Sequence, residues 1–486
     1  MGEPKKSPPR PVAAGTRLSP PKLFTHFGLL DHTLYDTDAG FWTPTGVRRD
    51  DALQRELDLM ISRRPGDWAG LRVALVDLSG GAPRFAGNGF VKGTEHVKPG
   101  EVVSPAERCL ETWEAASTNK LAVLYAAFQL RWEVTELAEL YADKTPKWMF
   151  DKLRIKWLAS QVIDESLPIE VLRADAPKIE RRGHEIRVDG KRIPLKLSDG
   201  TVIGPPKLEQ ILDVTKTALG WKVRFKGEPD GWGSDPEVAQ TFQNRLEKVA
   251  KAFASPLPAG RSFTFFEKLW LMADASHNHA TDQVLGAIGF LYVNSLMWRS
   301  GLFEPRRGGG MWVGRHYAHA SWWAAPPGPA LRTRDGDLIR AGMSAASGVA
   351  YMTLLHQNKL AGYIASQQIR VLLDRSSRRI TTGSATVYDI QRLDRGFWIE
   401  SVHAKIGLGS FSNYFDASLA IVHARSQTFK YSACVLDISV ADDISTPLFD
   451  CIDPPRPWMK ITPQPPVPDP PPAPEGDDEE YEEEEE

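Results

Sequence analysis

The fold is decided near the end of the chain, by FWIESVHAKIG (397–407), FDASLAIVHA (415–424) and FKYSACVLDIS (429–439). Each run is rich in β-branched and aromatic residues, and a short polar link parts it from the next, which predicts three consecutive strands. Working back, LRVALVDLS (71–79) and PRFAGNGF (83–90), separated by Gly80-Gly81, predict a further strand pair. Ahead of that pair, Leu53, Leu57, Met60 and Ile61 recur at i, i+4, i+7 and i+8, the period of an amphipathic helix over 50–62. Between the two strand groups, a run of good helix formers starts at Lys120 and continues to 132. Residues 135–265 mix helical stretches with HEIRVDGKRIPLKLSDGTVI (184–203), where Asp189-Gly190 between alternating apolar residues marks a hairpin. PEVAQTFQNRLEKVAKAFA (236–254) predicts a helix, and another is expected over 280–298. Strands at both ends with helices between predict an α/β (α+β) chain. Its antiparallel sheet is built from both chain ends and flanked by helices, with an inserted, mostly helical subdomain and a cleft between the two parts.

Composition bounds the rest. Of 486 residues, 42% are apolar and 25% charged, which excludes wholesale disorder or a fibre. The 59 Lys and Arg nearly balance the 62 Asp and Glu, but residues 461–486 hold eleven acidic residues and no basic one. Without them the net of −3 becomes +8, too weakly basic to argue for nucleic acid. That tail, eight prolines followed by DDEEYEEEEE, cannot bury a core and is expected to be solvated, its partner unknown. Residues 1–22 carry six prolines and predict a largely disordered lead-in. The expected organisation is a lead-in at 1–49, a main domain from 50–134 and 266–440, an insertion at 135–265, a closing segment at 441–460 and the tail. The longest apolar stretches, 121–130 and 284–298, are too short to span a bilayer. Basic residues without an apolar stretch at the N-terminus give no secretory signal, so the default expectation is a cytoplasmic chain. Cys109, Cys434 and Cys451 are too far apart for a disulfide framework or a cysteine metal site.

Three short patterns can carry chemistry. Ser117-Thr118-Asn119-Lys120 is an S-x-x-K at a helix start, where i and i+3 share a face and the amine can reach the hydroxyl. The same residues also fit a helix N-cap followed one turn on by an exposed lysine. A second copy, Ser19-Pro20-Pro21-Lys22, lies in a proline-rich stretch that cannot be helical. Ser276-His277-Asn278 puts a hydroxyl and an amide two residues apart on a turn. Lys405-Ile406-Gly407 sits at the end of a strand, where glycine permits a ligand backbone to approach closely. A turn and a surface lysine are the plainer readings of these two. His277, His279, His316 and His319 show H-x-H and H-x-x-H spacings, but no acidic residue or cysteine completes a zinc pattern, so loop histidines and no metal are expected.

In this order and context, S-x-x-K, S-x-N and K-x-G resemble the serine β-lactamase and penicillin-binding protein superfamily, nearest its class A-like branch. The resemblance covers roughly 50–134 and 266–440. It implies Ser117 as acylated nucleophile, Lys120 as its base and Ser276 as proton relay to the leaving nitrogen. It also implies Asn278 as partner of a substrate amide and Lys405 as attractor of a substrate carboxylate. Gly407 would leave room for substrate, and the backbone N–H groups of Ser117 and Leu408 would form the oxyanion hole. The implied substrate is a small-molecule or peptide acyl donor, a β-lactam or D-alanyl peptide by default, and no cofactor is implied. Members acting on lactams usually work outside the cytoplasm.

Three features depart from the pattern. Ile406 replaces the hydroxyl residue of K-x-G, with Ser410 as a substitute. No E-x-x-L-N lies between Asn278 and Lys405, where Glu304 and Glu400 are the only glutamates. The closing helix has little room in 440–458. These departures leave a D,D-peptidase or esterase with little lactamase turnover, or a non-catalytic binding module, as alternatives.

Overall fold

Asp50 accepts a hydrogen bond from Leu53 N at 2.8 Å, so the first helix starts where its cap stands, and Leu53 and Leu57 turn inward. The structure, a computed structural model, describes residues 47–63, 71–88, 105–161, 179–182, 185–188, 191–193, 206–249, 255–304, 309–318, 339, 341–375, 380–382, 385–388, 399–411, 414–425, 429–439 and 444–452. In chain order the elements are β1 Arg48–Arg49, α1 Asp51–Ser62, β2 Arg72–Asp77, β3 Arg84–Gly87, β4 Trp113–Glu114, α2 Lys120–Leu140 and α3 Pro146–Gln161. There follow β5 Ile179–Arg182, β6 Glu185–Val188, β7 Lys191–Ile193, α4 Leu208–Ile211, β8 Leu212–Thr217, β9 Gly220–Phe225 and α5 Pro236–Glu247. Next come α6 Phe265–Ala273, α7 Asn278–Ile288, α8 Phe290–Arg299, β10 Phe303–Glu304, β11 Gly309–Gly310, β12 Trp312–Val313 and β13 Ala341–Met343. The chain closes with α9 Ala345–His356, α10 Tyr363–Leu373, β14 Ile380–Thr382, β15 Ala385–Tyr388, β16 Ile399–Phe411, β17 Tyr414–Arg425, β18 Phe429–Ser439 and α11 Ser445–Ile452.

The main sheet runs β1-β3-β2-β18-β17-β16, so the N-terminal strands and the last three strands form one surface, as expected. Every pairing in it is antiparallel except β1 with β3. Period-two alternation divides its side chains between two cores. Val73, Leu75, Leu419, Ile421, Ala433 and Val435 face α1 and α11, while Ala74, Val76, Ala420, Val422, Cys434 and Leu436 join the larger core with the other helices. Helix α9, buried from Ala345 to Leu355, lies against that second face. Gly348 makes the approach close, since a Cβ there would sit 2.3 Å from Cys434 Sγ.

The hairpin expected at Asp189-Gly190 is present as β6 and β7, with Val188 opposite Lys191. The stretch 135–265 also shares the main core, through Leu208, Phe225, Trp232, Phe242 and Leu246. A buried ion pair of Arg131 with Glu228 at 3.1 Å ties it to α2, and Glu228 also accepts from Trp232 Nε1 at 2.9 Å.

Several boundaries are corrected. Among the described residues the sheet's first strand is Arg48–Arg49, inside the segment assigned to the lead-in. α5 ends at Glu247 rather than 254. The helix expected over 280–298 is two, α7 and α8, broken at Gly289, whose φ of +92° no continuous helix accommodates. A closing helix does fit: α11 needs only eight residues and packs on α1. The proline-rich lead-in, the acidic tail, Ser19 to Lys22 and His319 lie outside the described residues, as do the side chains of Glu304, Glu400 and Ser410.

Candidate active site

Three segments distant in sequence meet at the outer edge of the main sheet. β16 is its terminal strand, and the 3-10 turn Ala116–Asn119 packs along it, with Thr118 Oγ1 donating to Lys405 O at 3.4 Å. The turn is fixed from both sides. Ala115 N donates to Ala341 O at 2.8 Å, and Asn119 Nδ2 donates to Trp312 O at 2.8 Å. Between these anchors Ala116 is held at φ +46°, a left-handed conformation a non-glycine residue adopts at a cost of about 1–3 kcal/mol. Ser276, on the loop between α6 and α7, has φ +55°. Backbone strain at Ser276 and at Ala116, the residue before Ser117, marks places that the surrounding fold over-determines.

Ser117 precedes the α-helix and is half-buried, and its Oγ makes no hydrogen bond to a described residue. Lys120 opens α2 and is 1% exposed, which overturns the exposed-lysine reading. Its Nζ donates to Ser276 O at 2.6 Å and Asn278 Oδ1 at 2.7 Å and lies 3.3 Å from Ser276 Oγ. The amine expected to reach Ser117 is thus directed at Ser276 and Asn278, because these are the acceptors α7 and its preceding loop bring to it. Lys405, 3% exposed and no surface residue, donates to Ser276 Oγ at 2.7 Å and to Ile406 O at 3.3 Å. Ser276 Oγ therefore sits between two buried amines. The next residue on β16, Ile406, packs against the α1–α11 core, so its side chain is not turned into the site. Gly407 lies opposite Ser418, and Leu408 is 41% exposed.

Two ammonium groups cannot share this space cheaply. Burial, then repulsion from Lys405, holds the Lys120 amine well below the ordinary lysine range, with Asp282 opposing. Burial, then Arg375, lowers Lys405 to about 7, opposed by Asp274. A neutral Lys120 has two N–H bonds, which Ser276 O and Asn278 Oδ1 take, and one lone pair left to accept a proton from a hydroxyl. His277 caps α7, its Nδ1 accepting from Ala280 N at 3.2 Å, and burial pushes it down to about 4, so it stays neutral.

Sequence reasoning missed several neighbours. Asp282, one turn after Asn278 on the same face of α7, accepts from Tyr317 N at 2.6 Å and Ala318 N at 2.9 Å. Burial raises its carboxyl, but His316 and these two amides outweigh that and hold it below its usual range. The Tyr317 ring covers Lys120 Nζ at 4.9 Å from its centroid. Arg375 pairs with Asp274 at 3.1 Å and donates to Asp274 O at 3.0 Å, joining the Ser276 loop to the strand edge. The i, i+4 relation of Asn278 and Asp282 was readable; Tyr317 and Arg375 carry no local signal. Among the described residues no three His, Cys, Asp or Glu side chains are grouped to hold a metal, and no helix is long and apolar enough to cross a membrane.

No family model matches the chain. No curated protein matches it either. Among solved structures it is similar to TLA-3 extended-spectrum beta-lactamase, at 11% identity and TM-score 0.40, covering 83% of this chain and 98% of that one. It is also similar to PBP-A, at 12% identity and TM-score 0.37, with 83% and 94% covered. A beta-lactamase from Burkholderia phymatum is similar at 13% identity and TM-score 0.39, with 82% and 98% covered. These likenesses are of fold, and the reading of the site rests on its own geometry.

Proposed function

We propose that the chain is a serine hydrolase of the β-lactamase-like kind, working through an acyl-enzyme on Ser117. The observation that carries this reading is Ser276 Oγ lying 2.7 Å from Lys405 Nζ and 3.3 Å from Lys120 Nζ, with Ser117 one turn from Lys120. In this reading neutral Lys120 takes the Ser117 proton as Oγ attacks the acyl carbon. The backbone N–H groups of Ser117 and Leu408 receive the oxyanion, each such donor being worth about 3–4 kcal/mol. Lys120 passes the Ser117 proton to Ser276 as Ser276 gives its own to the leaving nitrogen or oxygen, and Lys405, donating to Ser276 Oγ at 2.7 Å, biases the relay. Asn278 keeps its Nδ2 for a substrate carbonyl, because its Oδ1 is occupied by Lys120. Water then hydrolyses the ester. The substrate is a β-lactam, peptide or ester acyl donor. The missing E-x-x-L-N favours a D,D-peptidase or esterase over fast lactam turnover. A purely binding module would carry two buried amines without using them, a costly arrangement.

The test is to label the protein with a fluorescent penicillin and with a fluorophosphonate and map the modified residue. The label is expected on Ser117, and Ser117→Ala should abolish it while the circular dichroism spectrum stays unchanged. Undiminished labelling of the folded alanine variant would refute the assignment.

A further inference from the structure

We propose that Tyr317 is a positioning residue for Lys120: its ring covers the amine and shuts bulk water out of the site. The role of Lys120 as base rests on the acyl-enzyme reading; the covering does not. Tyr317 lies in a bend after β12, and Asp282 fixes that bend through the amides of residues 317 and 318. His316 Nδ1 approaches the same carboxylate at 3.4 Å, and its ring packs edge-on against Phe290 with centroids 5.0 Å apart. The ring is therefore placed by its backbone and not by its hydroxyl, for Tyr317 Oη is buried with no hydrogen-bond partner among the described residues. Leaving a hydroxyl so buried is costly, and such an orphan at a site calls for an explanation. Tyr317 as a whole is half-buried, Lys120 is 1% exposed, and the ring lies over the amine with its centroid 4.9 Å from Nζ.

The charged and titratable groups facing the Lys120 amine are Lys405 from β16, Asp282 from α7 and His277 from its cap, with His316 beside Asp282 and the Asp274–Arg375 pair behind Lys405. Removing the Tyr317 ring changes none of these, so a changed titration of Lys120 would report the loss of the ring, and its direction would tell water entry from the loss of the ring's own attraction. The sign follows from two opposed effects of the ring. Its face attracts an ammonium, which favours the charged form. Its exclusion of water disfavours the charged form, and for an amine this deeply buried the second effect wins. Opening the site should therefore move Lys120 toward protonation and leave less neutral amine at pH 7.

The test is competitive acetylation of the full chain with acetic anhydride from about pH 6 to 11, with the Lys120 peptide read by mass spectrometry. Tyr317→Phe should titrate as the parent does. Tyr317→Ala should shift the Lys120 midpoint up by about one pH unit, a roughly tenfold change in the neutral fraction at a given pH below the midpoint. The pH profile of penicillin labelling should move the same way. Tyr317→Leu, apolar but smaller, keeps a partial cover if alanine unfolds the segment, and should fall between. An unchanged midpoint in the folded alanine or leucine variant would overturn the inference, as would a phenylalanine variant shifted as far as alanine. A shifted acetylation midpoint in a protein that takes no label on Ser117 would instead sink the acyl-enzyme reading and leave the covering role standing.

Discussion

Replacing Lys405 with methionine should make the protein more stable at pH 6 while removing its reaction with acyl donors. Methionine keeps most of the side-chain volume but has no charge to bury. Displacing a lysine from 10.5 to about 7 corresponds to roughly 5 kcal/mol of penalty on its charged form. The hydrogen bond to Ser276 Oγ at 2.7 Å is lost with the amine, which returns about 1–2 kcal/mol. The expected net gain at pH 6 is therefore about 3 kcal/mol. Below about 7 the amine is protonated in the folded and unfolded chains alike, so the penalty is constant and full. Between about 7 and 10.5 the folded chain binds fewer protons than the unfolded one, so the parent gains stability relative to the variant as pH rises. Near 10.5 that advantage of methionine is gone. Guanidinium unfolding of both proteins at pH 6, 7, 8.5 and 10 measures the gap directly. A gap independent of pH, or a parent more stable than the variant at pH 6, would show that Lys405 is held comfortably as an ammonium and that the reasoning is wrong.

A β-lactam that acylates Ser117 should leave a long-lived adduct visible by intact mass spectrometry, because a missing general base slows ester hydrolysis by about 10²–10⁴-fold. Fast turnover without an adduct would point to Lys120 acting twice or to Glu304, and Glu304→Gln would separate these. Gly348→Ala should lower stability by about 1–3 kcal/mol, since the new methyl would meet Cys434 Sγ at 2.3 Å. Combining it with Cys434→Ala should recover part of that loss in a thermal melt; equal melting of Gly348→Ala and the parent would mean that α9 slides without cost.

The parts of the fold legible in the sequence were those with strong periodicity: α1, β2 with β3, and the last three strands, which carry the main sheet. Two-residue strands such as β1 and β4 have no period to read, and their positions depend on partners far along the chain. The break at Gly289 depends on one φ value within a mostly apolar run. Ser117, Lys120, Ser276, Asn278 and Lys405 could be picked out as motifs, and their side chains or turns do converge. What the motifs did not contain was direction. That the Lys120 amine is turned to Asn278 Oδ1 follows from how the loop before α7 is tied to β16 by Asp274 and Arg375, a tertiary relation with no local trace. Tyr317 is invisible for the same reason, being delivered by Asp282 from 35 residues away.

Because β2 pairs with β18, the Arg72 guanidinium finds Asp437 across 365 residues of chain. During synthesis the open side of β2 must wait until β18 has been made. At about 5–20 residues per second, that is roughly 20–70 seconds with an apolar strand edge unpaired. Lengthening the intervening chain adds little to the cost of closing it, since that cost grows only with the logarithm of length. The burden of a long chain between the two halves of the sheet is thus one of time, not of final stability. Nascent chains stalled before residue 429 should recruit holding chaperones through that edge, and release of the last strands should free them.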